Sequence, residues 1–410
     1  MVETADVSLP SLKVATATII SAMLLTSELV SDLILSPGRP PLVKLDGRLV
    51  PVEVPGIDVI TPADTARIAE EMVASNAFAA QKLNERGSCD VSYSMPKLAR
   101  LRVNIFMQRG TCAIIMRVIS TVMPTLESLN LPLHLAEIAE LKSGLVLVTG
   151  PAGSGKSSTL AALVDLINSQ KSYHIVTVED PIEFSHNHKQ SVIHQRELWS
   201  DTQRFDDALR DALRQSPDVI LVGEMRDKET IEIVLEAAET GHLVLSTLHT
   251  IDASSTIDRI IGAFPISAQQ AVRNRFSKIF RCIISQRLAP RKHAAGRIPV
   301  IEILKSTLRT REYIVKGESE GKTLTDAMRD GSTDGMQHYD GEIERLIRLG
   351  HIDIETGLAL ATNAGNLRLQ LTDLAEDYPG LRVQSSEKDK RQASRGKASN
   401  IDFEIMRYAK

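Results

Sequence analysis

The sequence is short of cysteine, with three residues, Cys89, Cys112 and Cys282, in 410. Their separations exclude a CxxC metal clip, and three thiols are too few for a disulfide framework, so a reducing cytoplasm is the expected compartment. Long hydrophobic runs are missing too. The longest apolar-looking stretch near the start, Val14 to Leu25, is short for a bilayer span and is diluted by Thr16, Thr18 and Ser21, which predicts no transmembrane segment. Glu3 and Asp6 stand where a secretory signal carries positive charge, so export is not expected. Nor is there an excess of basic charge. A formal net charge of −4 and a pI near 6.2 disfavour a protein whose main task is wrapping nucleic acid. No internal repeat is found.

What is present suffices for full cores: 43% of the residues are hydrophobic and 24% charged, over a length that suits two or more folded units. From Leu12 to about Leu35 the pattern predicts a helix, with Ile19, Ile20, Met23, Leu24 and Leu33 on its buried stripe. Pro37, Gly38, Pro40 and Pro41 break it. Leu42 to Val54 has β-rich runs around the turn Asp46-Gly47, a hairpin signal, and Thr61 to Ala80 reads as a helix opening at Thr61-Pro62. Strands are expected around Leu101, Val103 and Ile105 and from Ala113 to Ile119. Residues 1–125 thus read as an α+β domain and 126–134 as a linker.

Beyond the linker the strands change character. Gly144–Thr149, Ile175–Val178, Val219–Gly223 and Leu243–Thr247 are nearly continuous apolar runs, as expected for parallel strands covered on both faces by helices. Helical faces lie between them, formed by Phe205, Ala208, Leu209, Ala212 and Leu213, and by Ile231, Val234, Leu235 and Ala238. An α/β core is therefore expected over 135–298. Residues 299–382 read as helices, including Leu304–Val315 and Gln337–Leu349 with Gly350 as a stop. Residues 383–410 have too few apolar side chains to fold alone and read as a disordered tail, although Ile401, Phe403, Ile405 and Met406 recur near its end.

The strongest motif runs Gly150-Pro151-Ala152-Gly153-Ser154-Gly155-Lys156-Ser157 and on into Ser158. It matches GxxxxGK[ST] at every fixed position, follows an apolar strand and precedes a helical run. Glycines let backbone N–H groups turn inward around phosphate oxygens, the helix start adds partial positive charge, Lys156 reaches the terminal phosphates and the Ser157 hydroxyl ligates Mg²⁺. ATP with Mg²⁺ is the expected cofactor pair. Glu224 ends a buried strand, where P-loop folds place the carboxylate that holds the metal or polarises the attacking water. Glu179, Asp180 and Glu183 end another strand at the same carboxyl edge of the sheet, and clustered acids repel unless a cation sits among them, so Glu179 and Asp180 are candidate metal ligands. His242 and His249 bracket a third strand and are candidate γ-phosphate sensors.

These residues carry a family resemblance. The phosphate loop, the acidic run Glu179–Glu183, the stretch Asp218–Asp227 reading DVILVGEMRD and Ala238–Thr250 reading AETGHLVLSTLHT resemble, in order, the type IV pilus retraction ATPases (PilT and PilU) of the secretion ATPase superfamily. The resemblance covers about residues 28–375. It implies a PAS-like N-terminal α+β domain, a RecA-like P-loop core and C-terminal helices. It also implies a cytoplasmic homohexamer, peripheral to the inner membrane, that extracts pilins at a platform protein. By it Glu183 positions the hydrolytic water, Glu224 is the Walker B acid, His242 and His249 form the His box, and N-terminal arginines, for which Arg100, Arg102 and Arg117 are the candidates, reach the nucleotide.

Departures from the family pattern are local. Ile34 stands where the family has His, Arg309–Lys316 replaces the retraction-associated segment, and no CxxC pair marks the assembly branch. Asn363–Leu369 resembles PilU, which raises as an alternative an accessory ATP-binding subunit working beside a paralogous ATPase. A DNA-translocating motor is disfavoured by the acidic balance.

Overall fold

The computed structural model describes residues 14–45, 47–95, 98–119 and 122–374. By contact the chain divides into two compact bodies, Met1–Leu288 with Arg297–His338, and Ala289–Gly296 with Tyr339–Lys410. The expected tail and its apolar end lie outside the described residues, as does Asp46 of the expected turn.

The first body opens with α1 (Thr16–Leu24), β1 (Val30–Leu35), β2 (Leu42–Leu45), β3 (Arg48–Pro51), α2 (Pro62–Val73), α3 (Ala77–Arg86), β4 (Ser88–Met95), β5 (Ala99–Gln108) and β6 (Thr111–Ile119). The strands form one sheet in the order β3-β2-β1-β6-β5-β4, a PAS-like α+β arrangement. Leu101, Val103 and Ile105 face the helices and are fully buried, so the alternate residues of β5 form the opposite face. Across that opposite face Asp32, Arg117, Arg102 and Ser92 stand side by side on four strands.

The long N-terminal helix expected over 12–35 is a correction. It stops at Leu24, where Thr26 Oγ1 donates to the Ala22 carbonyl and Ser27 Oγ accepts from the Leu29 amide, local bonds that compete with helix propagation. The remainder is β1, with Leu33 and Leu35 buried. The helix expected over 61–80 is also two: Asn76 ends the first segment and caps the second by accepting from the Ala79 amide.

Leu126 and Leu131 of the 126–134 segment pack under the second sheet, followed by a 3₁₀ turn, Leu133–Glu140. The second sheet then builds through β7 (Gly144–Thr149), α4 (Lys156–Gln170), β8 (His174–Glu179), β9 (Val192–Glu197), α5 (Phe205–Ala212), β10 (Val219–Val222), α6 (Lys228–Glu239), β11 (Leu243–Leu248), α7 (Ala253–Gly262), α8 (Ile266–Ile279), β12 (Phe280–Pro290) and β13 (Arg297–Lys305). Strand order is β13-β12-β7-β11-β10-β8-β9, and every pair from β12 through β9 is parallel. Leu145 and Leu147 of β7 join one hydrophobic cluster while Val146 and Val148 join the other. The runs are continuously apolar because each alternate residue meets a different helical layer.

Residues 298–304 are a strand rather than the start of a helical region. The stretch Ile298-Pro-Val-Ile-Glu-Ile-Leu304 is buried throughout, and a buried β-branched run suits a sheet between two layers. Helices resume with α9 (Leu308–Lys316) and α10 (Leu324–Asp330). In the second body α11 (Tyr339–Arg348), α12 (Ile354–Leu360) and α13 (Ala364–Gln370) pack together, and the Asp340 carboxylate accepts from the amides of Thr362 and Asn363 at the start of α13. Among the described residues no helix is long and apolar enough to cross a membrane.

Candidate active site

Because β7, β8, β10 and β11 run parallel, their carboxyl ends open on one edge, where open α/β sheets bind ligands. The phosphate loop leaves β7 there. Gly150, Gly153 and Gly155 have φ of +144°, +75° and +93°, conformations only glycine adopts readily. At Gly150 a Cβ would also lie 2.3 Å from the Gln286 carbonyl oxygen, and at Gly155 2.8 Å from Gln286 Nε2. The loop is thus pressed against β12, and Pro151, Ala152 and Gly153 remain exposed.

The α4 helix that follows has no side-chain cap, whereas α2, α6 and α7 are capped by Thr61, Asp227 and Asp252. Its first amides, at Lys156, Ser157 and Ser158, therefore lack intrahelical and side-chain acceptors among the described residues, where the buried Ser154 hydroxyl also has no partner. A loop of this kind suits a phosphate. Lys156 is buried, its ammonium donating to the carbonyls of Gly150 at 2.9 Å and Pro151 at 3.0 Å. Burial pulls its pKa below the usual lysine value, against the opposing charges of Glu224 and Glu183.

From Lys156 a chain of polar contacts crosses the sheet edge. Its Nζ lies 3.3 Å from His249 Nδ1, and His249 Nε2 lies 3.4 Å from Glu224 Oε1. An ammonium only donates, so Nδ1 accepts and the ring N–H is at Nε2, directed at Glu224. Arg226 Nε donates to Glu224 Oε2 at 2.8 Å, and its Nη1 reaches Asp180 at 3.3 Å. Cation and carboxylate alternate from the loop to the acidic run, and charge on an incoming phosphate would be felt along all of it.

The profile of the family described as "Type II/IV secretion system protein" matches residues 45–345. The chain belongs to that family. It is 41% identical over 325 residues to the type IV pilus retraction ATPase PilT of Pseudomonas aeruginosa, covering 79% of this chain and 92% of the relative. With the type IV pilus ATPase PilU of the same organism it shares 37% over 342 residues, 83% of this chain and 87% of the relative. A crystal structure of the pilus retraction motor PilT with bound ADP matches at a TM-score of 0.76 and 40% identity, over 86% of this chain and 98% of that one. This member of the secretion family is accordingly an ATPase of the pilus retraction branch, with a RecA-like core.

Within this family member the structure redistributes several expected roles. Glu179 Oε1 accepts from Thr177 Oγ1 at 2.7 Å and from Gln195 Nε2 at 3.0 Å, so this oxygen anchors the acidic run. Asp180 is engaged by Arg226. Among the described residues no three His, Cys, Asp or Glu side chains are grouped to hold an ion. Glu183 is exposed on the loop and its charge reaches Lys156.

His242 precedes β11 while His249 follows it, so they lie at opposite ends of a six-residue strand, about 20 Å apart. His242 Nδ1 lies 2.9 Å from the Ala237 carbonyl oxygen, on the amino edge, away from the loop. Spacing around one strand is not proximity. Arg117 pairs with Asp32 at 3.1 Å and Arg100 with Glu197 at 2.6 Å. Arg102 is exposed, with no ion pair among the described residues.

Three further residues shape the site: Arg226, Gln195 and Gln286. Arg226 stands two positions after Glu224 inside a quoted motif, and an arginine so close to a strand-end acid was the available signal. Gln195 and Gln286 gave none, since nothing local marks an amide as a loop brace.

Burial pushes the Glu179 carboxyl up to about 7 from 4.5, against the pull of its Thr177 and Gln195 hydrogen bonds. The folded state therefore holds a proton that the unfolded chain releases. The resulting stabilisation is full below pH 4.5 and is lost as pH rises through 7. Glu179→Gln keeps the shape and does not titrate, so its melting temperature should gain on the wild type by roughly 2 to 6 °C between about pH 5 and pH 8.5. A difference that stays constant over that range would rule the assignment out.

Proposed function

We propose that this chain powers type IV pilus retraction by hydrolysing ATP, as a homohexamer on the cytoplasmic side of the inner membrane, where it removes pilins at a platform protein. The observation that carries the chemistry is the buried Lys156 ammonium at an uncapped helix start, linked through His249 to Glu224. The lineage supplies the task.

In this reading the amides from Gly153 to Ser158 hold the phosphates, and Lys156 exchanges its two loop carbonyls for phosphate oxygens. Ser157 and Glu224 would hold Mg²⁺, which would supply positive charge to offset that on the phosphoryl oxygens. Glu183, on the loop facing Lys156, orients the water. Glu224 gives that arrangement its fixed negative charge, with His249 and Arg226 each orienting one of its two oxygens. Arg102, unpaired on the exposed face of the N-terminal sheet, is the arginine best placed to serve a neighbouring subunit's nucleotide.

A deletion strain tests the task. Cells lacking the chain should keep surface pili, in excess, and lose twitching movement, whereas bald cells would mean assembly and overturn the retraction reading. Hydrolysis at background by the purified chain, restored by a paralogous ATPase, would turn it into the accessory subunit.

A further inference from the structure

Strand β9 is the edge of the nucleotide sheet, and two of its side chains hold different parts of the molecule. Gln195 braces the acidic loop: its Nε2 donates to Glu179 Oε1 at 3.0 Å and to the Phe184 carbonyl at 2.9 Å, and its Oε1 accepts from the His186 amide at 2.8 Å. Two residues on, Glu197 is 4% exposed and accepts from Arg100 Nη2 at 2.6 Å and from Ser92 Oγ at 2.8 Å. Arg100 and Ser92 belong to β5 and β4 of the N-terminal sheet. The turn that follows adds to the contact. The Trp199 carbonyl accepts from the Asn76 side chain at 3.0 Å, and Lys82 Nζ sits 5.2 Å from the centre of the indole.

We propose that Glu197 is a positioning residue through which the acidic loop over the phosphate site and the N-terminal sheet of the same subunit move together, with Arg100 as its clamp. The inference rests on the hydrolytic site proposed above. Two arguments single out Glu197. Arg100 is its one ion-pair partner among the described residues, so a displacement that separated them would leave a buried carboxylate uncompensated, and the sheet has to follow the strand. The clamp also explains why Arg100 differs from Arg102 on the same face: its guanidinium is spent within the subunit and its Nε is buried without an acceptor, while Arg102 stays available. Displacement of the acidic loop by nucleotide passes from Gln195 along one rigid strand to Glu197 and reaches the N-terminal sheet.

The chain has one tryptophan, Trp199, and it lies on this contact, so its emission reports the coupling without reference to turnover. In the full-length chain, ADP should change Trp199 emission, and Glu197→Gln should abolish that change while leaving the affinity for ADP within about twofold. The same variant should lower kcat by about tenfold with KM for ATP little changed. Arg100→Gln should match it, and the double variant should be no worse than either single one, since both remove one interaction. If Glu197→Gln is poorly folded, Ser92→Ala and Gln195→Ala, which break the two ends separately, should each blunt the emission response. A wild-type response to ADP in Glu197→Gln would overturn the proposal, as would losses that multiply in the double variant. Failure of the wild type to hydrolyse ATP would count against the motor reading alone, because the ADP response still decides for or against the clamp.

Discussion

Lys156→Ala should abolish nucleotide binding under conditions where the wild type is saturated. The side chain is buried, and its ammonium already points into the loop, held by the carbonyls of Gly150 and Pro151. A phosphate takes over those donors, and two charge-assisted hydrogen bonds of this kind contribute about 4 kcal/mol, or roughly three orders of magnitude in affinity. The fold should tolerate the loss. Its pKa lies below the usual value because burial disfavours the ammonium, so removing a buried cation relieves a desolvation penalty and leaves the two carbonyls to water at an exposed loop. Calorimetric titration with ADP and with a non-hydrolysable ATP analogue checks both halves. Binding within tenfold of wild type, with an unchanged melting temperature, would mean that Lys156 does not grip the phosphates.

The phosphate loop was legible because its requirements are local. Glycine at Gly150, Gly153 and Gly155, lysine and a hydroxyl at fixed offsets, and an apolar strand before them are all written within about a dozen residues. The parallel sheet was legible for a similar reason, since strands buried on both faces are apolar at nearly every position, with Thr149, Ser246 and Thr247 as buried polar exceptions toward their carboxyl ends. Strand β9 was not. Val192-Ile-His-Gln-Arg-Glu197 is an edge strand with one neighbour, and its Gln195, Arg196 and Glu197 are chosen for partners far away in sequence. The identity of those partners is tertiary information: nothing around Arg100 announces a carboxylate at position 197, and nothing around Asp32 announces Arg117. His242 shows the converse, a motif position whose placement at the amino edge follows only once the strand's direction is known. The apolar pattern of the N-terminal helix runs on into β1, and the break between them lies in Thr26 and Ser27, whose side chains satisfy the backbone in a turn.

Glu224→Gln should separate binding from turnover. The amide is nearly isosteric, so it keeps an oxygen to accept from Arg226 Nε while its NH2 faces His249 Nε2 and loses that acceptor, and the loop, Lys156 and the α4 amides are untouched. Nucleotide affinity is accordingly expected to stay within about threefold, the signature of a group that acts mainly beyond the ground state. Turnover depends on the charge. In the wild type one carboxylate is shared between the His249 N–H and the Arg226 guanidinium at the edge where the proposed phosphate site lies, and a neutral amide neither attracts a divalent ion nor polarises a water there. The expected fall in kcat is on the order of 10²- to 10⁴-fold. Removing the charge also loosens Arg226, which then has Asp180 as its remaining partner at this edge, so Arg226→Ala should reproduce only a small part of the loss if the carboxylate itself is the working group. Steady-state hydrolysis and ATP-analogue binding by the two variants settle the order. A Glu224→Gln enzyme that turns over at the wild-type rate, or an Arg226→Ala enzyme equally dead, would move the essential charge away from Glu224.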